Sequence, residues 1–110
     1  MASFAVVLIM FISAPLLMAD GVVSDAGKLG ANAGAMTYCR DNFKTEDDDG
    51  RYNLLVIQTT KEFGDLTGED KAKALITRKA AEDGDYLGKK LNKKRCASIR
   101  KILLTKYAMD

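Results

Sequence analysis

Two cysteines, Cys39 and Cys96, constrain this chain more than any other feature, because both fall on the apolar side of a segment with helical periodicity. In "SDAGKLGANAGAMTYCRDNFK", residues 24–44, Leu29, Met36 and Phe43 recur every seven positions, with Ala33 and Cys39 on the same side. In "DYLGKKLNKKRCASIRKILLTKYAMD", residues 85–110, Leu91, Cys96, Ile99, Ile102, Leu103 and Tyr107 take one side of a helical wheel. Lys89, Lys90, Lys93, Lys94, Arg100 and Lys101 take the other, while Arg95 and Lys106 violate the division. The lysines around Cys96 are thus its neighbours in sequence more than in space.

Whether the two sulfurs join depends on the compartment. Residues 4–19, "FAVVLIMFISAPLLMA", precede the first charged side chain, Asp20. The run falls short of the roughly 20 apolar residues a membrane span needs. Its length is that of a secretory apolar core, and small residues follow. No Lys or Arg precedes it, so the α-amino group is the only N-terminal charge. The expectation is a signal peptide over 1–19, with cleavage as late as Ala26, where Ser24 stands at −3; an uncleaved anchor or buried helix is the alternative. The rest, residues 20–110, is expected to form one small helical domain in the periplasm or outside the cell, with no stable membrane span. About 85–90 residues give a core worth only a few kcal/mol, so a staple matters. A Cys39–Cys96 disulfide would close a loop of about 58 residues and contribute roughly 4 kcal/mol in the chain-entropy model. The rival is a free Cys96 whose thiol pKa is lowered by nearby cations. Export and the matching placement of Cys39 favour the disulfide.

The only proline is Pro15, so nothing after it forbids long helices. Ser24 or Asp25 can cap the first helix. Gly27, Gly30 and Gly34 weaken that helix by about 1 kcal/mol each, and their expected use is close approach of a neighbouring helix. Tyr52, Leu55, Val56, Thr59 and Phe63 form a second helical stripe closed by Gly64, although "LLVIQTT" is β-prone and residues 52–60 could instead be a strand. Thr67 and Asp70 resemble a capping box opening a third helix that Gly84 ends. The fold expected is all-α: three to four helices, the first and last joined by the disulfide.

Charge is divided. Residues 20–85 hold 14 acidic and 9 basic side chains, and residues 86–110 hold 1 and 8. An acidic body therefore carries a basic C-terminal element.

Much chemistry is missing. Without histidine the commonest general base and metal ligand is gone. There is no C-x-x-C motif. In "TEDDDG" an EF-hand register puts Thr45 at position 1 and Val56 at position 12, where a bidentate Glu is needed, so a solvated acidic loop is expected. "GDYLGKK" lacks the spacing of a phosphate loop. The carboxylates lie in polar segments, with no sign of an apolar pocket to raise one pKa. No catalytic, cofactor-binding or metal-binding residue is assigned, and a non-enzymatic protein is expected.

The stretch "NAGAMTYC", residues 32–39, together with "LNKKRCASIRKIL", residues 91–103, resembles YjjA-like proteins, small secreted proteins of enteric bacteria with no assigned function. There an Asn-Ala-Gly-rich helix ends in Tyr-Cys, and a Lys-rich C-terminal helix carries the second cysteine. The resemblance implies an exported, disulfide-linked helical protein and supplies no activity. This chain lacks the long Gly/Ser-rich stretch associated with that family.

The function expected is binding through the surface. Lys89, Lys90, Lys93, Lys94, Arg100 and Lys101 would meet an anionic envelope component or an acidic protein; the alternative is that they are merely solvated. A second expectation is a small inhibitor or immunity-type protein that blocks a secreted enzyme. Nucleic acid is disfavoured by the compartment and the acidic body.

Overall fold

A computed structural model describes residues 24–108. Four helices and one two-stranded hairpin follow in the order α1 (Asp25–Phe43), α2 (Asp49–Gly64), α3 (Gly68–Glu82), β1 (Asp85–Tyr86), β2 (Lys89–Lys90) and α4 (Lys93–Lys106). The all-α class and the disulfide are as the sequence predicts. The expected signal peptide, residues 1–19, lies outside the described residues. The later candidate cleavage position, Ala26, is buried in the first turn of α1.

α1 is the central helix. Ser24 caps it, its hydroxyl oxygen accepting from the Gly27 N–H at 3.1 Å. Gly30, Ala31, Asn32, Ala33, Gly34, Ala35 and Met36 are all buried, so the helix is covered on several sides. Only small residues permit such close cover. A Cβ added at Gly30 would lie 2.6 Å from the Ala74 carbonyl carbon, and one at Gly34 would lie 2.9 Å from the Ala81 Cβ. Contacts ascend together, from Gly30 with Ala74 to Gly34 with Ala81, so α1 and α3 run parallel. Thr77 ties the same seam, its hydroxyl donating to the Gly27 carbonyl at 2.5 Å. The glycines thus serve a neighbouring helix, as expected.

α2 runs antiparallel to α1. Arg40 reaches Asn53 at one end, and Ala33 clusters with Phe63 at the other. Residues 52–60 are helical, not a strand, because Tyr52, Leu55, Thr59 and Phe63 are buried at helical spacing while Leu54 and Ile57 between them are exposed. Gly64 is the last helical residue, and Lys71 takes over beyond it, its ammonium donating to the carbonyls of Phe63, Gly64 and Leu66. Thr67 is the N-cap of α3, but its side chain makes no capping hydrogen bond, so the expected box with Asp70 does not form.

The last segment departs most from expectation. Residues 85–90 do not extend the final helix. Gly84, at φ +98°, ends α3, and its N–H donates to the Ala81 carbonyl. A hairpin follows whose loop residues, Leu87 and Gly88, both have positive φ. Asp85 closes the turn by accepting from the Gly88 N–H at 2.9 Å. α4 begins only after Asn92, whose side chain accepts from the Arg95 N–H at 2.7 Å. Cys96, Ile99 and Leu103 are buried, as is Leu91 just before the helix. Ile102, assigned to the apolar side, is 62% exposed: it lies at the edge of a stripe that Cys96, Ile99 and Leu103 suffice to fill. Cys39 and Cys96 are bonded, with Cα atoms 5.6 Å apart. The core they join contains Met36, Tyr52, Leu55, Leu91, Ile99 and Leu103.

Candidate functional site

The six basic residues expected to share one helical face fall into three settings. Lys89 and Lys90 lie on β2, opposite Tyr86 and Asp85 respectively. Successive strand residues point to opposite sides. Lys90 lines a shallow depression with Asp83 and Asp85, so its charge has acidic neighbours. The hairpin is anchored on α1: the Tyr86 hydroxyl donates to the buried Asn32 at 2.7 Å, and Gly84 packs under the Tyr38 ring.

Lys93, Lys94 and Lys101 do share the exposed face of α4, seven or eight residues apart. None of these three, nor Lys89 or Lys90, makes an ion pair among the described residues. Lys93, Lys94 and Arg95 occupy the first turn of α4, which holds no acidic residue, whereas the first turn of α1, of α2 and of α3 each holds at least one. The helix dipole makes that turn the positive end, and each cation there costs about 0.3–1 kcal/mol. The Arg95 Nε is buried without a hydrogen-bond partner among the described residues. Other atoms of Arg95 line an open cleft with Asn92, Lys94 and Ser98.

Arg100 does not belong with the lysines. Its guanidinium donates to Asp48 at 2.8 Å and lies over the Tyr52 ring, 5.1 Å from the centroid. The acidic loop is therefore not simply solvated. Burial by itself raises the Asp48 pKa, but hydrogen bonds from the Thr45 backbone and hydroxyl, together with Arg100, outweigh it and hold the carboxyl below its ordinary value. Asp49 meanwhile pairs with Lys44. No signal in the sequence links Arg100 to a residue 52 positions away. At the other end of α4, the Tyr107 hydroxyl donates to Glu62. Burial first, then the Glu62 carboxylate, push the Tyr107 pKa up. Burial likewise raises the Tyr52 and Tyr86 hydroxyls.

Among the described residues, no group of three or more His, Cys, Asp or Glu side chains is placed to hold a metal ion. No helix among them is long and apolar enough to cross a membrane. No family model, curated protein or solved structure matches the chain.

Proposed function

We propose that this chain is an exported, non-enzymatic binding protein whose basic surface around the start of α4 meets an anionic envelope component. The observation that carries this reading is the concentration of exposed, unpaired lysines where a helix dipole is also positive. Lys93 and Lys94 form its centre, with Lys89 on the adjoining hairpin and Lys101 two turns further along the same face of α4; Lys90 and Arg100 have acidic neighbours and contribute less. A polyanion at this site would relieve the repulsion among the cations.

The test replaces Lys93, Lys94 and Lys101 together by Gln and measures co-sedimentation with anionic and zwitterionic vesicles over a range of salt. Lys101→Gln is expected to shift stability by less than about 0.5 kcal/mol, since the side chain is exposed, and removing Lys93 and Lys94 from the positive end of the helix should raise stability by about 0.3–1 kcal/mol each. Binding to anionic vesicles should weaken and its salt dependence flatten. Undiminished binding by the triple variant sinks the proposal. One envelope protein captured at equal stoichiometry, whatever the state of these lysines, would favour the inhibitor or immunity-type reading instead.

A further inference from the structure

We propose that a second copy of this chain docks on the outer face of α2, antiparallel to it. Leu54 and Ile57 are 50% and 66% exposed, and with Leu104 of α4 they line an open apolar groove. Gly50, Leu54, Ile57 and Lys61 are spaced by four, three and four residues, which is the seam of a two-helix contact. A two-fold axis between positions 54 and 57 places Leu54 against Ile57 of the second copy, and Ile57 against its Leu54. The same axis sets Lys61 against Gly50 of the second copy. A Cβ at Gly50 would meet nothing within 4 Å, so the stem of that lysine has room to lie there.

Charge selects this arrangement. Asp47 lines the groove from the turn just ahead of α2, three residues before Gly50, and makes no ion pair among the described residues. Among the described residues the Lys61 ammonium bonds only to Asp65, the C-cap residue of α2, at 3.3 Å between groups that are 69% and 71% exposed, a pair too solvated to hold it in place. In the antiparallel pairing each Lys61 ammonium reaches Asp47 of the other copy. Arg51, which also lines the groove, falls opposite the uncharged Thr60 of the second copy in this register, whereas a parallel pairing would oppose Lys61 to Lys61, Arg51 to Arg51 and Asp47 to Asp47. With two large apolar side chains per copy at its centre, the contact is far smaller than a standard interface, so dissociation in the range of about 10 µM to 1 mM is expected.

Analytical ultracentrifugation of the disulfide-intact protein from about 5 µM to 1 mM tests this range. The mass should rise toward that of a dimer. Ile57→Glu should raise the dissociation constant by about 30-fold or more, with the helical circular dichroism unchanged. Lys61→Glu and Asp47→Lys should each weaken association about fivefold, and the two in one chain should restore it, because the swapped charges face each other again. A protein that stays monomeric at 1 mM overturns the proposal. So does association that survives Ile57→Glu, since it would run through another surface, including the apolar residues 4–19. Single charge variants without effect, or a double variant without rescue, overturn the antiparallel register.

Discussion

The seam between α1 and α3 and the attachment of α4 solve one problem in opposite ways. α1 and α3 meet through Gly30, Gly34, Ala74 and Ala81, with backbone almost against backbone. Dispersion forces act over a long, close contact, and no large side chain is needed. α4 buries only Cys96, Ile99 and Leu103, with Leu104 half-buried against the same core, and its exposed residues include four lysines as well as Ile102. It is held by a covalent bond to α1 and by polar contacts to both ends of α2, Arg100 with Asp48 and Tyr107 with Glu62. The first seam depends on the absence of atoms, and the second on particular groups. The second can therefore be loosened chemically while the first remains, which leaves the basic surface on the separable part.

The disulfide should show the largest effect. Cys39→Ala with Cys96→Ala, or reduction of the native bond, should cost roughly 4 kcal/mol, read as a lower melting temperature and denaturant midpoint. Hydrogen exchange should then rise first in α4, with α1 and α3 still protected. Uniform loss of protection across all four helices would break the contrast between the two attachments.

Gly30→Val attacks the other seam. Its side chain would meet the Ala74 backbone, which cannot turn aside, and a loss of about 3 kcal/mol is expected. Gly50→Ala, in open space, should instead leave stability unchanged or raise it by up to about 1 kcal/mol. Equal melting temperatures for the two variants would mean that α1 and α3 are not in close contact.

The smallest expected effect concerns pH and the C-terminal tie. The Tyr107 pKa is raised above its ordinary value of 10.0 in the folded protein, so the folded state binds the proton more tightly than the unfolded state. Its contribution is complete below that ordinary value and is lost as pH climbs above it. Stability, read as the melting temperature, should therefore fall as pH climbs above about 10. Tyr52 and Tyr86 add to the slope, having raised values of their own. Tyr107→Phe should flatten the alkaline fall while lowering stability by about 1 kcal/mol at neutral pH. An unchanged alkaline slope in that variant would detach Tyr107 from Glu62.

The helices, the Ser24 cap and the cysteine pair were legible in the residues because each has a local signature, whereas the box expected of Thr67 and Asp70 did not form and the Asn92 cap was not foreseen. Ser24 precedes its helix, Tyr52, Leu55, Thr59 and Phe63 repeat at the helical period, and Cys39 and Cys96 stand on apolar stripes. The hairpin was not legible. Its strands have two residues each, too few for a period, and "LG" is a rare turn pair that leaves Leu87 at φ +50°. Tyr86 commits the segment to that turn only by finding Asn32, 54 residues away. The basic site was half legible for the same reason. Composition alone showed the cluster of cations, and helical spacing grouped Lys93, Lys94 and Lys101. Tertiary structure decided that Arg100 is paired with Asp48, that Lys90 sits beside Asp83 and Asp85, and that Ile102 faces out. Periodicity reports which residues share a side of one element. Which charges are neutralised depends on what the fold brings opposite them, and that is set by packing between elements far apart in the chain.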